Sequence, residues 1–135
     1  MKKYLYTVAC ALVFIACVNK NSITFTDIEN KNLIIGKIII AGKTFMPSPL
    51  QDASILFSKS NYNGFGGCNS FFGSFKLKSN KITFTSNAGA TKMLCQPEIM
   101  VFENTLLSQL IGEFTLNKEN DNLILQSKEI KIYFK

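Results

Sequence analysis

Gly64 to Cys95 reads GFGGCNSFFGSFKLKSNKITFTSNAGATKMLC, and its punctuation decides the fold. Phe71–Lys78 and Lys81–Thr85 are β-rich runs separated only by Ser79-Asn80, a two-residue hairpin signal. Side chains alternate across a strand. Phe71, Gly73, Phe75 and Leu77 should therefore share one face, with Phe72, Ser74 and Lys76 on the other. Ile82 and Phe84 face one way in the second strand, so Phe71, Phe75, Ile82 and Phe84 make an expected core wall. Before the hairpin, Ser60–Gly67 is rich in residues that tolerate positive φ and reads as a turn. Its glycines also suggest a phosphate-binding fingerprint, but Asn69 stands where the third Gly should be and no helix follows, so the structural turn is preferred. After the hairpin, Asn87–Thr91 reads as a loop leading to Cys95.

Strands flank this centre on both sides. Leu33–Phe45 is β-rich, with Gly36 and Gly42 suggesting a bulge or bend. Met46-Pro-Ser-Pro-Leu50 ends it, and Ala53–Ser58 alternates as a second strand. Downstream, Pro97 suits the first helical position and Glu98 the positive helix start. Ile99, Phe102, Leu106 and Leu110 recur at helical spacing, leaving Glu103, Asn104 and Ser108 for water. Gly112 fits a helix stop. Phe114–Asn117, Leu123–Gln126 and Ile130–Phe134 are three short strands, the last with Ile130, Ile132 and Phe134 inward. Lys131 and Lys135 on its outer face would discourage edge-to-edge pairing. The expected fold is β-rich α+β: a strongly curved antiparallel sheet, a partial β-barrel, with one α-helix packed on its open side.

The chain opens with Lys2, Lys3 and an apolar run to Ala16, short of the roughly 20 residues a membrane span needs. Phe14-Ile15-Ala16-Cys17 resembles a bacterial lipobox, which makes residues 1–16 a lipoprotein signal peptide and Cys17 the lipidation site. An ordinary cleaved signal and an uncleaved anchor are the alternatives, and Cys10 is a poorer lipidation candidate. Polar residues 17–32 read as a lipidated N-terminus and tether, with Ile23–Phe25 as a short strand in the alternative, and residues 33–135 as the domain. Val18 after the Cys permits the outer membrane, facing the periplasm. In an exported chain, the two remaining cysteines, Cys68 and Cys95, favour a disulfide; free thiols or a redox or metal pair are the alternatives.

The formal charge of +6 comes from lysines spread along the chain without Arg, unlike the clustered basic surface that holds nucleic acid. The chain contains no His, which excludes a Ser-His-Asp triad, a Cys-His pair and an HExxH zinc site. No catalytic residue, metal site or cofactor is expected.

Gly67-Cys68-Asn69 with Gly73, then Lys81-Ile-Thr-Phe84, then Thr91, Met93 and Cys95 before Pro97 and Glu98, resembles the META domain family, which includes the heat-inducible bacterial protein HslJ. The match covers about residues 33–135. The family often opens its first strand with Trp, and this chain has none; Ile38 or a neighbour should fill that volume. The resemblance implies a small β-rich domain with one helix, often in envelope lipoproteins and linked to stress. The reading is a non-enzymatic envelope scaffold, structural, stress-related or interacting, anchored to the membrane by Cys17 and meeting an envelope protein or lipid. The alternative is a binder of lipid or apolar peptide, similar to pilot lipoproteins of secretion pores. Its candidate apolar ligand face would be Phe71, Phe75, Phe84, Phe102 and Leu106.

Overall fold

The computed structural model describes residues 23–135. Nine strands follow in chain order: β1 Asn32–Ile40, β2 Lys43–Phe45, β3 Ala53–Ser58, β4 Asn61–Phe65, β5 Ser70–Lys78, β6 Lys81–Ala90, β7 Gly112–Glu119, β8 Asn122–Gln126 and β9 Ile130–Phe134. One helix, α1 (Pro97–Gln109), separates β6 from β7. All neighbouring strands pair antiparallel. The expected curved sheet goes one step further and closes: β9 pairs back onto β1, so eight strands form a barrel and β2 extends beside β1.

Closure corrects the reading of β9 as an edge. Lys131 lies between two paired neighbours, β1 and β8, and forms an ion pair with Glu119 at 3.1 Å. The bulge expected at Gly36 is there, between Ile35 and Lys37 in the β1–β9 ladder. It resets the alternation, which is why Ile35 and Ile38, three apart, are both buried. Ile38, expected to fill the volume of an absent Trp, is fully enclosed in the first strand.

Two stretches read as turn or loop are strands. Residues 61–65 pair with both β3 and β5, and residues 88–90 continue the β5 ladder beyond an irregularity. Their glycines have a packing cause. Gly64 lies opposite Phe71, Gly73 opposite Tyr62 and Gly89 opposite Phe72. A Cβ on any of the three would overlap the ring across from it. Each glycine is thus the floor on which a cross-strand aromatic lies flat.

The core wall holds as expected for Phe71, Phe75, Ile82 and Phe84, while Leu77 lies past the barrel end and is exposed. Phe57 meets Phe75, Tyr62 meets Phe84 and Phe84 meets Phe114, each edge-on with centroids 5.4, 5.1 and 5.4 Å apart. The candidate ligand face belongs to this core. Phe75, Phe84, Phe102 and Leu106 are each at most 3% exposed and pack inside it, whereas Phe71, 2% exposed, also lines a cleft beside α1.

The described part of the expected tether is also core. Phe25–Asp27 forms one 3-10 turn, where a short strand had been the alternative. Phe25 packs 5.4 Å from Phe75, and Ile28 is 1% exposed. Apolar side chains spaced three apart plug the barrel end, which the polar composition of the segment concealed. The signal peptide, Cys10 and Cys17 lie outside the described residues.

Candidate functional site

Helix α1 places Ile99, Phe102 and Leu106 against the barrel, as its spacing predicts. Burying Phe102 and Leu106 contributes about 1.5–3 kcal/mol each. Glu103 was expected to face water. It is 2% exposed and points into the same interface. Its position follows from geometry: Phe102, Leu106, Ile99 and Leu107 span about 140° of the helix circumference, and Glu103 lies between Ile99 and Leu107.

A buried carboxylate needs donors. The loop between β4 and β5 supplies them. Glu103 Oε2 accepts the backbone N–H of Cys68 at 3.1 Å and of Asn69 at 2.5 Å. Its Oε1 accepts from Asn69 Nδ2 at 2.6 Å. The same amide group donates to the Met93 carbonyl at 3.2 Å. Asn69 Oδ1 accepts the Met93 N–H at 2.6 Å and the Thr91 hydroxyl at 2.9 Å. A side-chain amide has two donors and two acceptor sites, and all four are occupied. Thr91 Oγ1 in turn accepts the N–H of Ser70 at 3.1 Å.

The disulfide between Cys68 and Cys95 closes the same loop onto the chain entering α1, with Cα atoms 6.0 Å apart. The glycines before it make room. A Cβ on Gly66 would sit 2.6 Å from Glu103 Cγ and Oε2. Gly67 adopts φ +109°, with Ile99 Cγ2 3.1 Å from where its Cβ would be. This Gly-rich loop therefore approaches the flank of a helix.

The structure brings the motif residues Gly67, Cys68, Asn69, Thr91, Met93 and Cys95 into one cluster. Met93 takes part through its backbone, and its side chain is exposed. Gly73 lies away from it, under Tyr62. Glu103 is the member that sequence reading missed, and a carboxylate inside an apolar helical stripe was the available signal. Chemically the cluster is a clasp. It joins three segments, residues 66–70, 91–95 and α1, through polar atoms that bind one another.

Beside the clasp, a cleft of about 200 Å³ runs between β6 and α1, lined by Tyr62, Phe71, Phe72, residues 88–90, Leu107 and Leu110; Phe71 is the one member of the candidate ligand face that borders it. Burial raises the pKa of the Tyr62 phenol. The cleft adjoins a furrow of about 400 Å³ bounded by Lys92, Met93, Leu94 and Met100.

Two solved structures share the fold. A protein from Burkholderia xenovorans, determined by NMR, matches with TM-score 0.65 and 20% identity over 82% of this chain and 83% of its own. A second protein with an NMR structure matches with TM-score 0.62 and 20% identity, over 84% of this chain and 95% of its own. No curated protein matches the chain. The model of the META domain matches residues 26–134, from the turn that plugs the barrel to its last strand and with the whole clasp between. The chain belongs to the META domain family.

Proposed function

We propose that the protein is a non-enzymatic cell-envelope lipoprotein whose META domain is a structural, stress-related or interaction scaffold. The observation that carries this reading is the clasp. The polar side chains of the family motif, Asn69 and Thr91, and the Glu103 carboxylate spend their hydrogen bonds on one another and on backbone. Groups engaged in this way stabilise shape and are poorly placed to move protons or bind a reacting group. The Cys68–Cys95 bridge supports an oxidising compartment outside the cytoplasm. Acylation at Cys17 would hold the domain at the membrane, by expectation the outer one and on its periplasmic side. Several acyl chains at about 0.8 kcal/mol per buried CH₂ make such attachment lasting.

Fractionation of cells carrying Cys17→Ser tests the reading. The variant should move from the membrane to the soluble periplasmic fraction with its disulfide intact. Unchanged partitioning into detergent would remove the anchor. The alternative, binding of an apolar peptide, is favoured by the cleft between β6 and α1. Lipid held inside the barrel is disfavoured by the packed aromatic core.

A further inference from the structure

We infer that the distal half of β6 is a strand-addition site, which takes an extended apolar peptide segment carrying a carboxylate into the cleft beneath α1. The inference rests on the interaction-scaffold reading and names the partner class.

The ladder between β6 and β7 runs only from Lys81↔Thr115 to Phe84↔Gly112. Beyond Phe84, β6 continues to Ala90 with β5 on one side only. Thr91 N–H donates to Ser70 O at 2.9 Å, and Ala90 pairs with Phe71, Gly89 with Phe72 and Ala88 with Gly73. Antiparallel ladders alternate, so Gly89 turns its backbone groups toward β5 while Ala88 and Ala90 turn theirs away. Among the described residues no strand, turn or side chain receives them. Edges of this kind are commonly guarded by Lys or Pro. The sequence from Thr85 to Ala90, TSNAGA, contains neither.

The chemistry of the surroundings selects the occupant. A lipid has no alternating N–H and C=O groups to complete a ladder, whereas an extended peptide does. The cleft of about 200 Å³ beside the edge exceeds the roughly 150 Å³ that accepts benzene in a protein interior, enough for one large apolar side chain. Leu107 and Leu110 of α1 overhang Ala88 and Ala90, which admits a single segment more readily than the edge of a second barrel. Of the two charged residues lining the adjoining furrow, Glu103 is occupied by the clasp. The other, Lys92, has no ion-pair partner among the described residues. The complementary ligand group is a carboxylate.

The test uses the full-length, ¹⁵N-labelled protein in mild detergent and three acetylated hexapeptides. Each has an apolar residue at alternate positions, Val, Leu or Phe, and ends in Glu. Titration should shift the amide signals of Ala88 and Ala90 and slow their hydrogen exchange. Ala88→Pro removes an N–H that faces away from β5, and should weaken binding about tenfold, the worth of one backbone hydrogen bond. Lys92→Met should weaken it several-fold and abolish its salt dependence, which keeps the test open if Ala88→Pro disturbs the barrel. No binding of any peptide up to about 1 mM, a free energy near −4 kcal/mol, would overturn the inference. So would shifts of the same amides with oleate, or concentration-dependent shifts without peptide, which would assign the edge to lipid or to a second copy. Cys17→Ser fractionation reads the membrane-anchor part of the proposed function without any peptide, so the two can fail separately.

Discussion

Replacing Glu103 by Gln keeps the side-chain volume and removes the acceptor capacity on which the clasp depends. With Gln Oε1 facing the Cys68 and Asn69 N–H groups, its NH₂ opposes Asn69 Nδ2. Asn69 cannot turn over to relieve this, because its Oδ1 would leave the Met93 N–H and the Thr91 hydroxyl. A buried donor without a partner costs about 1–3 kcal/mol, and the two backbone bonds, no longer charge-assisted, weaken by about 1 kcal/mol each. The expected loss is about 3–5 kcal/mol, a large part of the roughly 5–15 kcal/mol that small domains possess. At about 4 °C per kcal/mol, Tm falls by about 12–20 °C. Urea unfolding followed by far-UV circular dichroism, with the disulfide intact, measures it as a lower midpoint at unchanged slope. Glu98→Gln, on the exposed first turn of the same helix, should change stability by at most about 1 kcal/mol. Combining Glu103→Gln with Asn69→Ala should be strongly non-additive, since both act on one network. Equal, small effects of Glu98→Gln and Glu103→Gln would refute the reasoning.

Other substitutions probe the remaining supports. Cys68→Ser should cost roughly 3.5 kcal/mol by loop entropy for a separation of 27 residues, and should leave Cys95 open to maleimide; equal labelling of wild type and variant would deny the bridge. Gly73→Ala forces a Cβ into the Tyr62 hydroxyl and should destabilise by about 1–3 kcal/mol; an unchanged melting curve would show that the ring does not lie over this glycine. The Tyr133 hydroxyl, followed by Lys131, holds the Glu119 carboxyl below its ordinary value of 4.5. Its contribution is therefore present above that pH and lost as the pH falls toward the folded-state value. Glu119→Gln should accordingly lower Tm at neutral pH and converge with wild type on acidification; a constant gap across pH would exclude this linkage.

Features specified by near neighbours were legible in the chain. Ser79-Asn80 joins β5 to β6, with Lys78 opposite Lys81, and Ser79 takes the positive φ of a tight turn. The apolar stripe from Ile99 to Leu110 gave the helix. Features that depend on distant partners were hidden. Residues 61–65 and 86–90 have loop composition because their glycines must lie beneath aromatics on the facing strand. Barrel closure needs Ile35–Ile40 to find Ile130–Phe134, about a hundred residues along the chain. Glu103 looked solvated because its donors, Cys68 and Asn69, stand 35 and 34 positions away. The motif could thus be seen before the carboxylate that explains it.

Native-state hydrogen exchange at the Cys68 and Asn69 amides examines the clasp without any substitution. If Glu103 binds them as described, both should open only with global unfolding, within about 1 kcal/mol of the protection at the core strand residue Phe84. Exchange as fast as at the exposed Leu94 would mean that these motif residues are not held by the helix, and the structural reading of the cluster would be wrong.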